Sequence, residues 1–355
     1  MQPFVYEALS QRVVFGFGTI AQVADELDRL GLSRALVLST PQQEDSAQAM
    51  AEAIGSRAAG IFAGAAMHTP VDVTEAALAK AREVNADSVV SVGGGSTTGL
   101  GKAIALRTDL PQIVVPTSYA GSEATPILGE TKDGLKTTQR SMKVLPEVIV
   151  YDVDLTMTLP AKMTVTSGLN AIAHSVEGLY TKDRNPIISI IAEQGIAALA
   201  RALPVIHRDG SDREARSDAL FGAWACGTVL GAVGMALHHK ICHTLGGSFD
   251  LPHAETHTVI LPHATAYNER AVAADLAPVA KIFGAASAAE GLWTFARDLD
   301  APMTLAEIGM KEEDLDRAAE IMAQNPYWNP QPLVQEELRA LLDDAFYGRK
   351  PGSSL

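Results

Sequence analysis

Short runs of β-branched residues alternate with amphipathic stretches along the first third of the chain, and this alternation restricts the fold more than any other feature. The apolar runs occupy residues 13–16, 35–39, 88–92 and 113–116, and the amphipathic stretches include residues 19–30 and 70–85. Strands joined by helices run parallel, because each crossover returns the chain to the same end of the sheet. The pattern therefore predicts a parallel α/β sheet.

The pattern changes at residues 127–150 and again near residue 159. Asp133-Gly134 separates two short runs and has the turn chemistry of a β-hairpin, which we interpret as an insertion. Beyond it the β signals nearly vanish, and helix patterns follow that are separated by turn residues such as Gly246-Gly247. A chain of 355 residues has room for two cores. We predict an α/β domain over residues 1–158 and an all-helical domain over residues 159–355.

The acidic balance of the chain excludes several classes of partner. The formal net charge is −14 and no run of Lys and Arg occurs, so nucleic acid and anionic membranes are not expected to bind. The two cysteines, Cys226 and Cys242, form no CxxC pair, as expected in a reducing compartment. The sequence has no signal-like start and no run of about 18 uninterrupted apolar residues. We expect a cytoplasmic protein.

Two loops that follow predicted strands are candidates for nucleotide binding. Residues 93–96, Gly-Gly-Gly-Ser, lead into a helix, and their backbone amides suit a pyrophosphate. The run is not the usual dinucleotide fingerprint, because Thr98 stands at the third glycine position. Residues 116–123 offer hydroxyl groups at the same edge of the sheet. A tight turn for the first loop, and a helix cap by Ser122 or Thr125 for the second, remain alternatives.

Histidines concentrate in the predicted helical domain, where six of the nine lie between His238 and His263. A spacing of four residues places two side chains on one helix face. Three pairs have this spacing: Asn170 with His174, His239 with His243, and His253 with His257. One buried histidine is usually a core residue, but several that converge need a common purpose. Metal binding, anion binding and proton transfer are the candidates.

These segments together resemble the iron-containing alcohol dehydrogenase superfamily. The matching strings are GGGS, PTSYAGSE, TSGLNAIAHSVE, HHKICHTLGG and DLPHAETH, which span nearly the whole chain. The resemblance implies a dehydroquinate synthase-like fold whose α/β domain binds NADH or NADPH. It also implies a metal-ligand set at Asn170, His174, His239 and His253, the first of which is an aspartate in relatives. An amide is a poorer ligand for a hard cation, although three imidazoles can hold zinc.

With Asn170 in place of the aspartate, the chain resembles one branch of the superfamily, the maleylacetate reductases, and further departures agree with this. CHTLGG and LPHAETH are shared with that branch, the loop PTTAGTGSE is shortened to PTSYAGSE, and the aspartate of GGGSxxD is Gly99. The branch implies a metal-independent homodimer that reduces the carbon–carbon double bond of maleylacetate, a small dicarboxylate, to 3-oxoadipate in aromatic compound degradation. The alternatives are a metal-dependent alcohol dehydrogenase or aldehyde reductase, a lyase of the dehydroquinate synthase type, and a non-enzymatic binding protein.

The resemblance also assigns roles to residues. We expect His243 to donate a proton or bind an enolate, and Tyr119 to anchor a substrate carboxylate. The other catalytic candidates form a polar pocket: His174, His239, His253 and Asn170. The expected cofactor contacts are Gly93, Gly94, Gly95, Ser96, Thr117, Ser118, Ser122, Lys136, Ser39 and Thr40. Because Ser39-Thr40 replaces the acidic residue of many relatives, we expect both NADH and NADPH to be used.

The remaining polar residues receive no firm catalytic role. Lys240 is a further candidate for anchoring a substrate carboxylate, but we expect it to point to solvent. Cys242 is expected to pack in the interior, since nothing in its setting activates the thiol. His68, His207 and His263 are interpreted as structural, and His257 is left unassigned.

Overall fold

The computed structural model describes residues 3–324 and 327–355, except for the side chain of Lys136. It divides into two compact units. One is Ala8–Leu159, and the other is Pro160–Leu355 together with the N-terminal segment up to Glu7. The predicted division at residue 158 differs in that this N-terminal segment groups with the helical unit. The sheet of the α/β unit begins only at Arg12.

The α/β unit contains a parallel sheet of six strands and a separate hairpin. In chain order the strands are β1 Arg12–Gly16, β2 Ala35–Leu38, β3 Ala58–Phe62, β4 Ser88–Gly93, β5 Gln112–Pro116, β6 Ile127–Lys132, β7 Leu135–Arg140 and β8 Val148–Asp152. The helices are α1 Val23–Leu30, α2 Glu44–Ile54, α3 Val71–Glu83 and α4 Gly95–Thr108. The sheet order is β1-β8-β5-β4-β2-β3, with every pair parallel.

Alternate residues of β2 enter two different cores, one on each face of the sheet. Val37 packs in a cluster with Met50 of α2, whereas Leu36 packs in a cluster with Leu78 of α3. Each fully buried leucine contributes about 1.5–3 kcal/mol relative to an exposed one. The predicted parallel α/β sheet is confirmed, with helices on both faces.

The hairpin of β6 and β7 confirms the predicted insertion as far as Arg140. The prediction was wrong beyond that point, because residues 148–150 lie in β8, which pairs with β1 and β5 in the parallel sheet. The turn residues of the hairpin, Asp133 and Gly134, have φ of 51° and 76°. Two consecutive left-handed residues define the turn that best matches the twist of antiparallel strands. The pairing Lys132 with Leu135 closes a two-residue loop.

The helical unit consists of eight α-helices among its described residues. They are α5 Ala161–Tyr180, α6 Pro186–Arg208, α7 Arg213–Ala232, α8 Leu237–Phe249, α9 His253–Phe283, α10 Ala288–Asp298, α11 Leu315–Gln324 and α12 Gln335–Tyr347. The predicted break at Gly246-Gly247 is wrong, because α8 continues through both glycines. It ends where Asp250 takes a left-handed φ of 56° and Pro252 follows.

Two helical stretches, Pro186–Arg208 and His253–Asp298, are long and apolar enough to cross a membrane by length and composition alone. The sequence criterion of an uninterrupted apolar run did not detect them, since polar residues interrupt both. The second stretch comprises α9 and α10, which pack against each other. In the first, Ile196 and Leu199 are fully buried against the rest of the helical unit.

Candidate active site

The helical unit brings six imidazole rings together, and we refer to them as the histidine cluster. The members come from three helices: His174 of α5, His238, His239 and His243 of α8, and His253 and His257 of α9. His257 lies at the centre, with ring centroids 4.4 Å from His253, 4.8 Å from His238 and 5.1 Å from His239. The residue that the sequence left unassigned therefore contacts most of the cluster.

The apolar face of α8 holds the cluster in place. Leu237, Ile241 and Leu245 belong to one hydrophobic core with Val259 and Ile260 of α9. Residues of α8 outside this stripe include the three histidines. Within the cluster, His243 and His253 are exposed, whereas the other four rings are buried. The two exposed rings are therefore the members that a solute reaches first.

A buried carboxylate, which the sequence analysis missed, organises the start of α8. Glu177 of α5 is fully buried and accepts hydrogen bonds from the amides of Ala236 at 3.0 Å and His238 at 2.7 Å. It also accepts from His239 Nδ1 at 2.6 Å. No side chain of α8 caps this helix. Glu177 thus satisfies amides that a helix start leaves without partners.

Glu177 is ionised. Burial alone would raise its pKa, but the hydrogen bond from His239, the nearby rings of His239 and His238 and the Ala236 amide outweigh burial and lower the pKa to about 2. An ionised carboxylate only accepts hydrogen bonds, so His239 Nδ1 carries a hydrogen. In neutral His239 the Nε2 atom then bears a lone pair. That atom lies 2.9 Å from His174 Nδ1, which must donate. Glu177, His239 and His174 form a hydrogen-bonded relay with fixed tautomers.

Asn170 lies one helical turn before His174 and is almost completely buried. Its amide oxygen has no hydrogen-bond partner among the residues that the structure describes. Burying an unpaired amide oxygen costs about 1–3 kcal/mol. Asn170, which stands at the position of the acidic metal ligand, therefore lowers the stability of the fold.

The four positions that hold a metal in relatives fit a divalent cation poorly in this chain. The donors at these positions are one amide and three imidazoles, and none of them is an anionic oxygen. Both oxygens of Glu177 are occupied by N–H donors. Hard divalent cations take anionic oxygen ligands. The donor set does not supply one.

Two rings of the cluster are held neutral by their surroundings. Burial, together with the neighbouring ring of His239, lowers the pKa of His238 to about 3. Burial also lowers the pKa of His257 well below its ordinary value. The pKa of the neighbouring Cys242 thiol is raised by burial and by the charge of Glu177, which agrees with its predicted lack of activation.

In the α/β unit the two predicted cofactor loops lie side by side. Gly93 ends β4, and its carbonyl accepts from the Thr117 amide at 3.1 Å. A Cβ on Gly93 would lie 2.4 Å from Thr97 Oγ1, and one on Gly94 would lie 3.0 Å from Ser118 Oγ. Helix α4 then begins at Gly95 without a side-chain cap. Its first amides are suited to a phosphate.

A buried lysine, not chosen from the sequence, supports the second loop. Lys102 Nζ donates to the main-chain oxygens of Ser122 at 2.5 Å, Thr125 at 2.7 Å and Ile127 at 2.8 Å. Burial lowers the pKa of Lys102 to about 7, and the charge of Glu123 opposes that shift. Ser122 therefore stands on a segment whose path is fixed by one ammonium group.

The other predicted site residues occupy varied positions. Ser39 is fully buried after β2 and Thr40 is half-buried, while the side chain of Lys136 lies outside the described part of the chain. Tyr119 is fully buried within the α/β unit, whereas the remaining catalytic candidates belong to the helical unit. Lys240 lies over the ring of Tyr327, 5.4 Å from its centroid.

Both halves of the chain match family models. Residues 10–153 match the model described as iron-containing alcohol dehydrogenase, and residues 164–346 match the Fe-containing alcohol dehydrogenase family, C-terminal. The chain belongs to the iron-containing alcohol dehydrogenase family.

Several full-length relatives within that family are maleylacetate reductases. The maleylacetate reductase of Rhizobium sp. (strain MTP-10005) is 58% identical over 351 residues, which cover 99% of this chain and 100% of that protein. The maleylacetate reductase of Sphingobium indicum is 54% identical and covers 98% of this chain and 99% of that protein. The crystal structure of maleylacetate reductase from Agrobacterium tumefaciens has a TM-score of 0.97 at 58% identity, covering 99% of this chain and 100% of that one. The predicted resemblance to this branch is confirmed.

Proposed function

We propose that this chain is an oxidoreductase that uses NADH or NADPH to reduce the carbon–carbon double bond of maleylacetate, giving 3-oxoadipate. Full-length similarity to maleylacetate reductases at 47–58% identity supports the substrate. The observation that carries the proposal within the molecule is the relay of Glu177, His239 and His174 beside the neutral Asn170. Protons held by this relay can stabilise negative charge that develops on the substrate.

The reaction places one hydride and one proton on the substrate. A bound reduced nicotinamide would supply the hydride for the alkene carbon β to the ketone, and the protein would then have to stabilise an enolate. One added proton gives the His174–His239 pair a positive charge that Glu177 balances and that stabilises the enolate. His243, an exposed member of the cluster, is assigned the proton that completes the reduced bond. His253, the other exposed ring, is assigned to a substrate carboxylate.

We assign the cofactor to the loops of the α/β unit. The amides at Gly94, Gly95 and Ser96 are assigned to the pyrophosphate, with Thr117, Ser118 and Ser122 beside them. Ser39 and Thr40 carry no charge, so they do not repel a 2′-phosphate. Roughly equal kcat/KM for NADH and NADPH is expected, and a preference of more than about a hundredfold contradicts this assignment, because it corresponds to about 2.7 kcal/mol.

We also propose that turnover needs no divalent metal. The support is the donor set at positions 170, 174, 239 and 253, which lacks an anionic oxygen. A cytoplasmic location and a homodimeric assembly, both expected from the sequence, belong to the same proposal.

The test is the oxidation of NADH and NADPH by the full-length protein with maleylacetate, ketones and aldehydes, before and after treatment with a chelator. The expected result is turnover of maleylacetate alone, unchanged by the chelator, with 3-oxoadipate as product. His243→Asn is expected to lower kcat by about 10²–10⁴. The matched control is His207→Asn, because His207 also lies on the helical unit but pairs with Asp300 at 3.2 Å.

Two results would overturn parts of the proposal. Reduction of aldehydes that requires added iron or zinc would favour the metal-dependent alternative of the same family. Asn170→Asp tests the role of the missing acidic ligand, because it places a carboxylate beside His174. This variant should bind more metal than the wild-type protein. Purified wild-type protein that already carries one metal ion per chain at these ligands would contradict metal independence.

A further inference from the structure

Three donor atoms converge in the interior of the helical unit, at residues that the proposed reaction does not use directly. His238 Nε2, Cys242 Sγ and His257 Nδ1 all lie within 4.8 Å of one another, and all three residues are buried. The two nitrogens are 2.9 Å apart, and Cys242 Sγ is 3.7 Å from His238 Nε2. His238 and Cys242 share one face of α8 because they are four residues apart.

These distances are close to those of a tetrahedral zinc site. Zinc binds nitrogen at about 2.0–2.1 Å and thiolate sulfur at about 2.3 Å. In tetrahedral geometry two nitrogens are then about 3.3 Å apart, and a nitrogen and a sulfur about 3.6 Å apart. His238 and His257 need to separate by only a few tenths of an ångström. Cys242 Sγ and His257 Nδ1, which lie within 4.8 Å of each other, need to reach about 3.6 Å. Three protein ligands leave the fourth position for water.

The charge of a bound dication is balanced locally. When Zn²⁺ binds, the thiol of Cys242 loses its proton and becomes an anionic ligand. The second negative charge is Glu177, whose carboxylate accepts from the His238 amide at 2.7 Å. Uncompensated charge is expensive to bury, whereas a dication with two nearby anions is neutral overall. The soft thiolate also selects zinc over the hard cations that oxygen ligands prefer.

We propose that His238, Cys242 and His257 form a binding site for a thiophilic divalent cation, Zn²⁺ or its spectroscopic substitute Co²⁺. The site is distinct from the ligand positions at Asn170, His174, His239 and His253. Its outer nitrogens, His238 Nδ1 and His257 Nε2, have no hydrogen-bond partner among the described residues. Ligating histidines normally have such a partner, so affinity should be about 10–100-fold below that of a supported zinc site.

The experiment adds Co²⁺ to the metal-free, reduced, full-length protein and records its near-ultraviolet spectrum. A sulfur-to-cobalt charge-transfer band requires a thiolate ligand, so cobalt bound to imidazoles and Asn170 alone does not produce it. The expected result is one band-forming cobalt per chain, displaced by Zn²⁺. Cys242→Ser removes the band. The control is Cys226→Ser, because Cys226 is the only other cysteine and is also buried.

A second measurement does not depend on the folding of a variant. Binding of Zn²⁺ to the wild-type chain should release one proton per metal from Cys242, detected with an indicator dye in weak buffer. No charge-transfer band, a band that survives Cys242→Ser, or zinc binding without proton release would each overturn the proposal. None of these readouts uses turnover, so the result is independent of the proposed reductase activity.

Discussion

The carboxylate of Glu177 offers the sharpest test of how the histidine cluster is organised. Glu177→Gln preserves the shape of the side chain and removes one acceptor and the negative charge. In the native site one oxygen accepts from the His238 amide, and the other accepts from the Ala236 amide and His239 Nδ1. Whichever way the glutamine amide turns, its NH₂ group faces at least one buried N–H donor.

The cost follows from these contacts. Hydrogen bonds to a charged group contribute about 1.5–3 kcal/mol each, and leaving a buried donor unpaired adds a desolvation penalty. Breaking a buried ionic contact by removing one partner typically costs about 3–5 kcal/mol. We therefore expect Glu177→Gln to lower the free energy of unfolding by about 3–5 kcal/mol. The loss of a fixed His239 tautomer should lower kcat by about 10²–10⁴.

Urea unfolding and the steady-state kinetics of maleylacetate reduction measure the two effects. Glu269→Gln is the matched control, because Glu269 accepts from the first amides of α10, Ala288 at 2.7 Å and Ala289 at 3.3 Å, without contacting the histidine cluster. Glu269→Gln should lower the free energy of unfolding by about 1 kcal/mol, as expected for the loss of a helix cap, and should keep wild-type kcat. Glu177→Asp, which retains the charge, should recover part of the lost kcat. The reasoning fails if Glu177→Gln matches the control in both stability and kcat.

Three further perturbations follow from the same contacts. Lys102→Met removes the ammonium that holds the loop around Ser122, so the free energy of unfolding should fall by about 3–5 kcal/mol and KM for NADH should rise. Unchanged values of both quantities would contradict the role of Lys102 in holding this loop. Gly93→Ala places a Cβ 2.4 Å from Thr97 Oγ1, so a cost of about 1–3 kcal/mol in thermal unfolding and a raised KM for NADH are expected. Burial lowers the pKa of His263 to about 4, so the unfolded chain takes up a proton first and stability declines as pH falls from 6.5 to 4. His263→Leu should remove up to about 3 kcal/mol of that decline, and identical pH dependence of urea unfolding in both proteins would refute it.

The main architecture was predictable because its elements have strong local signals. Three parallel strands, β2, β4 and β5, coincide with runs of Val, Ile and Leu, and the hairpin turn has Asp-Gly at its centre. Strand β3, Ala-Ala-Gly-Ile-Phe, was not predicted, because two alanines and a glycine have low β-propensity. It forms by pairing with β2, a contact that periodicity does not encode.

The site was predictable where side chains repeat at helical spacing, and not where a single residue acts. The four-residue spacing placed His239 and His243 together, but it does not indicate that Glu177 supports them. A signal existed nevertheless. Glu177 is the one charged residue between Thr164 and Tyr180 of α5, and Lys102 is the one between Gly95 and Leu106 of α4. A lone charge in an otherwise apolar helix usually has a buried partner, because unpaired burial is too costly.

The position of the carboxylate decides which kind of positive charge the relay can hold. In the wider superfamily an aspartate stands at the position of Asn170, where its carboxylate can bind a cation directly. In this chain the carboxylate that faces the relay is Glu177, and its oxygens are occupied by the start of α8 and by His239. Such a carboxylate acts on the substrate only through the imidazoles that it fixes. The charge that it can balance at His239 and His174 is therefore that of one added proton. In the proposed mechanism, an enolate stabilised by this pair depends on the protonation of His239 and His174, which is the reason for proposing turnover without a metal.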